Sequence, residues 1–168
     1  MKRNQIKEGM VFGIPMPNGF YAIIQLIKKD KPIFYMAGFD ITLDEKQAFQ
    51  PSSLMTAKVL FLGNFFDAQI VSGHWKFLGS APITKVQFPW TKVLIAGDWI
   101  VESWDGKKRI VMDQPGAERY PYRSNFGDML LQKALLNYHG FQEMDDFMLR
   151  NIPEIDAAFV MTIAELHE

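Results

Sequence analysis

Apolar residues run from Met10 to Ile14 and again from Phe20 to Ile27, and the two runs flank Pro17-Asn18-Gly19. Asn-Gly between such runs predicts a β-hairpin, because both central residues of a type I′ turn take positive φ. Phe20, Tyr21, Ala22, Ile23 and Ile24 are apolar at odd and even positions alike, so the second arm is predicted to be a central strand covered on both faces. Phe20–Lys28 is expected to pair with Ile33–Asp40 across Lys29-Asp30-Lys31-Pro32. Leu43–Phe49 reads as a short helix with Thr42 as its N-cap, Asp44 and Glu45 favouring the dipole in its first turn, and Pro51 stopping it. Lys58–Leu62 is a buried strand candidate broken by Gly63-Asn64. Asp67–Ser72 fits a helical turn or a short strand, Trp75–Leu78 follows, and Pro82 and Pro89 mark a connection expected outside any sheet.

Gly97 opens a second hairpin, in which Asp98–Trp104 and Lys107–Met112 are joined by Asp105-Gly106, another type I′ pair. Trp99 and Val101 fall on one face of its first arm; Ile100, Glu102 and Trp104 fall on the other. Gln114–Arg123 reads as an extended, Pro-containing loop. A helix is predicted over Phe126–Tyr138, capped by Ser124 or Asn125, with an apolar stripe at Phe126, Leu130, Leu131, Ala134, Leu135 and Tyr138 and Gly140 as its C′ residue. Met144–Arg150 suits one or two turns, and a last helix starts at Asn151 and Pro153, with Ile155, Phe159, Ile163 and Leu166 at helical period. Strands first and helices last predict an α+β fold: a twisted antiparallel β-sheet, with hairpins at 10–27 and 98–112, and C-terminal helices packed on one side. No internal repeat or low-complexity tract is visible.

A chain of 168 residues suits one domain, 1–168, with residues 124–168 as its helical part. Such a length buries enough surface to need no metal or disulfide staple. There are no cysteines, which removes disulfides, thiolate catalysis and zinc–thiolate sites together. Met1-Lys2-Arg3-Asn4 leads into charged residues rather than an apolar leader, so secretion is not expected. No apolar run approaches the roughly 20 residues of a membrane span. Together these features predict a soluble, cytoplasmic protein with no membrane partner. The net charge of −1 is unevenly spread: residues 1–97 carry eleven Lys/Arg against six Asp/Glu, and residues 98–168 carry seven against thirteen. With a pI of 6.3, bulk nucleic-acid binding is not expected.

Candidate chemistry is sparse. His74, His139 and His167 lack metal spacing, and no glycine cluster matches a phosphate-binding loop or a dinucleotide fingerprint, so neither metal nor cofactor is expected. His139 falls at a helix C-terminus, where a cation would offset the dipole. Ser72 and His74 could suggest a nucleophile and its base, but G-x-S-x-G is missing and a loop histidine is the ordinary account. Asp44-Glu45 and Asp145-Asp146 read as helix starts rather than acid–base pairs. The four tryptophans, Trp75, Trp90, Trp99 and Trp104, suit core or near-core positions. Two basic tips, Lys28, Lys29 and Lys31 at one hairpin and Lys107, Lys108 and Arg109 at the other, offer the alternative function: a small β-rich module binding nucleic acid or another ligand. Solvated lysines that discourage edge-to-edge pairing are the plainer account of both tips.

Lys7-Glu8-Gly9-Met10-Val11-Phe12-Gly13-Ile14-Pro15, followed by Pro17-Asn18-Gly19-Phe20-Tyr21-Ala22, resembles the opening of the immunity protein 26 family. His74-Trp75-Lys76-Phe77-Leu78-Gly79, with Pro82 after it, resembles that family's tryptophan and "Ile-Gly" segment, and Phe39-Asp40 its phenylalanine–aspartate pair. The likeness covers residues 7–83, a β-rich part. Met10 stands where the family has aspartate, and Leu78 where it has isoleucine. The motif residues Gly9, Phe12, Pro15, Gly19, Trp75 and Gly79 are expected to be structural. The resemblance implies a non-catalytic antidote of a bacterial polymorphic-toxin system, which binds a cognate toxin domain. Many such toxins are nucleases with basic clefts, which acids would complement and attract. Charge alone nominates Glu143, Asp145, Asp146, Glu154 and Asp156 as the partner-binding set; a solvated helix start is the ordinary account of these acids.

Overall fold

The computed structural model describes residues 1–30, 33–83, 88–104, 106–120, 128–142 and 160–161. The N-terminal hairpin forms where the pattern places it: β1 (Met10–Met16) and β2 (Phe20–Asp30) pair from Val11↔Gln25 to Met16↔Phe20. Asn18 and Gly19 both take positive φ, 68° and 77°, with Pro17 ahead of them in a three-residue loop. β3 (Ile33–Asp44), β4 (Val59–Phe65) and β5 (Lys76–Ser80) complete an antiparallel sheet in the order β4-β3-β2-β1-β5. The doubly apolar arm Phe20–Ile24 therefore lies in the middle strand.

Period-two alternation gives each face its own core. Phe12, Ile24, Gly38 and Phe61 make one cross-strand row, and Val11, Gln25, Ala37 and Leu62 make a row on the opposite face. The first row is covered by α1 (Ala68–Ser72), Trp75 and α3 (Asp128–Tyr138), through Ile70, Leu131, Ala134 and Leu135. Gly38 makes the seat for α3: a Cβ there would stand 3.5 Å from Leu135 Cδ2. The second row is covered by Leu54 of a 3₁₀ turn (Pro51–Met55), by Ala81 and by Trp104. Gln25, buried on that face, donates from Nε2 to the Ala81 carbonyl at 2.8 Å and so ties β2 to the end of β5.

The α+β class holds, and the two hairpins seed separate sheets. β7 (Thr91–Ile95), β8 (Asp98–Glu102) and β9 (Arg109–Met112) form a three-stranded antiparallel sheet. Trp99 and Val101 pack with Ala117, Tyr120 and Trp90, whereas Trp104 packs into the larger sheet's core and joins the two. A two-residue pair, β6 (Phe88–Pro89) with β10 (Val160–Met161), lies apart from both.

Several sequence expectations are corrected. Leu43–Phe49 is not a helix and Thr42 caps nothing: β3 runs on to Asp44, opposite Phe20, because the long β2–β3 ladder supplies partners to its end. A tight turn follows, with Asp44 Oδ1 accepting from the Lys46 amide at 2.8 Å. Gly63-Asn64 does not break β4, since Gly63 and Asn64 pair with Met36 and Tyr35. Asp67–Ser72 resolves as the helix α1. Pro89 lies within a short strand rather than outside any sheet, and β7 is a strand beyond those expected. Gly97 does not open a strand but completes an Ala96-Gly97 turn (φ 52° and 96°) between Ile95 and Asp98. Residues 103–108, not Asp105-Gly106 alone, connect β8 to β9, with the Ser103 amide donating to the Lys108 carbonyl at 2.9 Å; Asp105 itself lies outside the described residues. Gln114–Ala117 is a helical turn (α2) instead of extended chain, because Asp113 Oδ1 accepts from the Gly116 amide at 3.0 Å. Val160 and Met161 are extended rather than helical. Met144–Arg150 and the remainder of the last predicted helix lie outside the described residues.

The end of α3 follows expectation. Gly140 takes φ 79°, its amide donates to the Asn137 carbonyl, and the Phe141 amide donates to that of Leu136, with both apolar side chains against the core. This is a Schellman closure. Ala96 is the reverse case, a left-handed residue with a Cβ, which costs about 1 kcal/mol. Ala96→Asn is expected to raise stability by about 0.5–1 kcal/mol, read as a higher urea midpoint at unchanged slope.

Candidate functional site

β5 pairs with β1 only as far as Gly13, so Ile14–Met16 run past it. At that corner α1, the turn after it and α3 leave a cleft of about 290 Å³, lined by Pro15, Gln69, His74, Trp75, Met129 and Gln132. The turn is built locally. Gly73 (φ 82°) closes α1, and the Gln69 carbonyl accepts both the Trp75 amide at 3.1 Å and the Ser72 hydroxyl at 3.1 Å. Trp75 is thereby held in the core, 2% exposed, and its indole Nε1–H has no hydrogen-bond partner. Met129 stands at the rim, 69% exposed. Among the described residues no Lys, Arg, Asp or Glu side chain lines the cleft.

Ser72 Oγ and His74 Nδ1 are 2.9 Å apart. Ser72 Oγ also lies 3.1 Å from the Gln69 carbonyl, a second acceptor for its proton, and the direction of the Ser72–His74 hydrogen bond is set by the imidazole tautomer. Among the described residues no group of three or more His, Asp or Glu side chains could hold a metal ion.

Only two of the motif residues, Pro15 and Trp75, stand at this corner; Gly9 and Gly79 lie at the opposite end of β1. Phe12 is fully buried, and Pro15 and Trp75 line the cleft itself. Gly9 takes φ 81°, and a Cβ there would lie 3.0 Å from the Ala81 carbonyl, a backbone group that cannot step aside. Gly79 sits opposite Val11 at a bulge in the β1–β5 ladder, and Gly19 ends the first turn. No family model, curated protein or solved structure matches the chain. Glu143, Asp145, Asp146, Glu154 and Asp156 lie outside the described residues. No helix among the described residues is long and apolar enough to cross a membrane.

Two residues of the basic tips, Lys29 and Arg109, are engaged in the fold. Lys29 Nζ donates to the carbonyls of Arg3 and Ile6, at 3.0 and 2.7 Å, and lies over the Phe34 ring. Arg109 Nε is 2.8 Å from the buried Glu102 carboxylate. Arg3 makes a two-point pair with Asp67, whose hydrogen bond and charge hold the guanidinium above its ordinary pKa. Lys31 lies outside the described residues.

His139 does not behave as a dipole-stabilised cation. Burial pushes its pKa below the usual 6.5, against the opposing pull of Asp40. The unfolded chain therefore binds this proton more readily, so the stability present above pH 6.5 is lost as pH falls through the folded value. Thermal unfolding across pH 5–7 is expected to show that loss, and His139→Gln to flatten it.

Proposed function

We propose that this chain is an immunity protein that binds and neutralises a cognate bacterial toxin domain in the cytoplasm, without turning over a substrate. The observation that carries it is that Pro15 and Trp75, two residues of the immunity-like motif, line the one surface recess described above. An open cleft with an apolar rim and uncharged polar walls suits a single anchor side chain from a protein partner, the arrangement in which interface energy concentrates. Phe66 and Val71, exposed beside and on α1, add the apolar surface that marks protein-binding faces. The acids Glu143, Asp145, Asp146, Glu154 and Asp156 would supply long-range attraction toward a basic toxin.

Co-expression with the toxin domain encoded beside the gene tests this. Restored growth and a 1:1 complex on size exclusion are expected. Met129→Lys should weaken binding at least ~10-fold with an unchanged melting temperature, because the side chain is largely exposed. Asp145→Lys/Asp146→Lys should slow association. Toxicity unaffected by co-expression would overturn the proposal, and full affinity in Met129→Lys would move the contact away from the cleft.

A further inference from the structure

The three-stranded sheet ends in an unusually apolar edge. Val93, Ile100 and Val111 form a row across its three strands, and Val111, on the outer strand β9, is 68% exposed. Ile110 beside it is 42% exposed. Apart from its four-residue length and Arg109, β9 lacks the usual protections of an edge strand: it has no proline, no lysine and no bulge in its pairing with β8. Because the Ser103 amide donates to the Lys108 carbonyl, the alternation of an antiparallel ladder turns the backbone groups of Arg109 and Val111 away from β8.

We propose that β9 pairs antiparallel with β9 of a second copy of this chain, about a two-fold axis at Val111. Two-fold antiparallel pairing sets residues whose numbers share parity opposite one another, so each strand meets its twin on the same face. Val111 then faces its own copy, and the two aliphatic rows become one row across six strands. The same register sets Arg109 opposite the exposed Asp113 of the other copy at both ends, so unlike charges bracket the apolar centre. Arg109 already holds Glu102 through Nε and keeps further N–H groups for this second carboxylate. The surface used is distinct from the cleft proposed for the toxin, and the dimer stands or falls independently of that function.

Sedimentation equilibrium of the full chain from about 5 to 200 µM is expected to show a monomer–dimer equilibrium. Val111→Lys and Val111→Glu each place like charges at the axis, and each should weaken dimerisation at least ~10-fold while leaving the circular dichroism spectrum unchanged. Mixing the two variants should restore a 1:1 heterodimer. A monomer at 200 µM overturns the proposal. So does a dimer that both variants retain, or a mixture that fails to associate.

Discussion

Trp75→Ala is expected to destabilise the protein by about 3–5 kcal/mol, the range for deleting a large buried aromatic. Trp75 packs in the core formed by Phe12, Ile14 and Ile70, and it closes the floor of the cleft, so its removal costs both contacts and the shape of the recess. Trp75→Phe separates the two effects. It keeps most of the buried ring and removes the indole N–H, which is buried without a partner and itself costs about 1–3 kcal/mol. The phenylalanine variant should therefore lie within about 1.5 kcal/mol of the parent. Urea unfolding of both variants is the measurement. An alanine variant as stable as the parent would show that the indole is not a core element.

The second large effect is expected at Leu135. It is fully buried and faces the shallow seat at Gly38, so α3 rests on the sheet chiefly through this side chain and its neighbours Leu131 and Ala134. Leu135→Ala should cost about 2–5 kcal/mol, the spread reflecting how far the helix settles into the space left behind. In a domain of this size that corresponds to a fall in melting temperature on the order of 10 °C. The substitution should also weaken toxin binding if the cleft is the contact, because α3 carries Met129 and Gln132 at its rim. Gly38→Ala probes the same seat from the sheet side, with a contact of 3.5 Å that is close to ordinary van der Waals distance.

What was legible in the sequence was what near neighbours decide. The Asn18-Gly19 turn, the two-faced arm Phe20–Ile24, the buried middle of the α3 stripe (Leu131, Ala134 and Leu135) and the Gly140 closure each follow from a few adjacent residues and stand in the structure. Tyr138, by contrast, is exposed, and Phe126 lies outside the described residues with the expected caps Ser124 and Asn125. Trp99 and Trp104 do go to different cores, as alternation suggests, although Trp104 lies past the end of β8 and its placement is set by the connection to β9. The helix expected at Leu43–Phe49 failed because acids after a threonine satisfy a local capping pattern, whereas eleven residues of β2 offered β3 a longer ladder. Thr91–Ile95 carries β-branched residues suited to a strand, but Ala96, with its Cβ, disguises the turn that ends it. Of the candidate site, the motif residues Pro15 and Trp75 could be named in advance, but not that they share a recess.

The amino-acid pattern by itself determined an α+β chain with an N-terminal hairpin, a buried middle strand and an amphipathic helix, because periodicity and turn chemistry act over a few residues. Only the tertiary structure decided that the two hairpins belong to different sheets, that α1, β1 and α3 meet at one cleft, and that β9 is left as an apolar edge. Those outcomes depend on which elements compete for the same partner, such as Gly38 yielding a seat to Leu135 or Trp104 reaching across to the larger core. Such competition is settled between residues far apart in the chain, where no local pattern can record it.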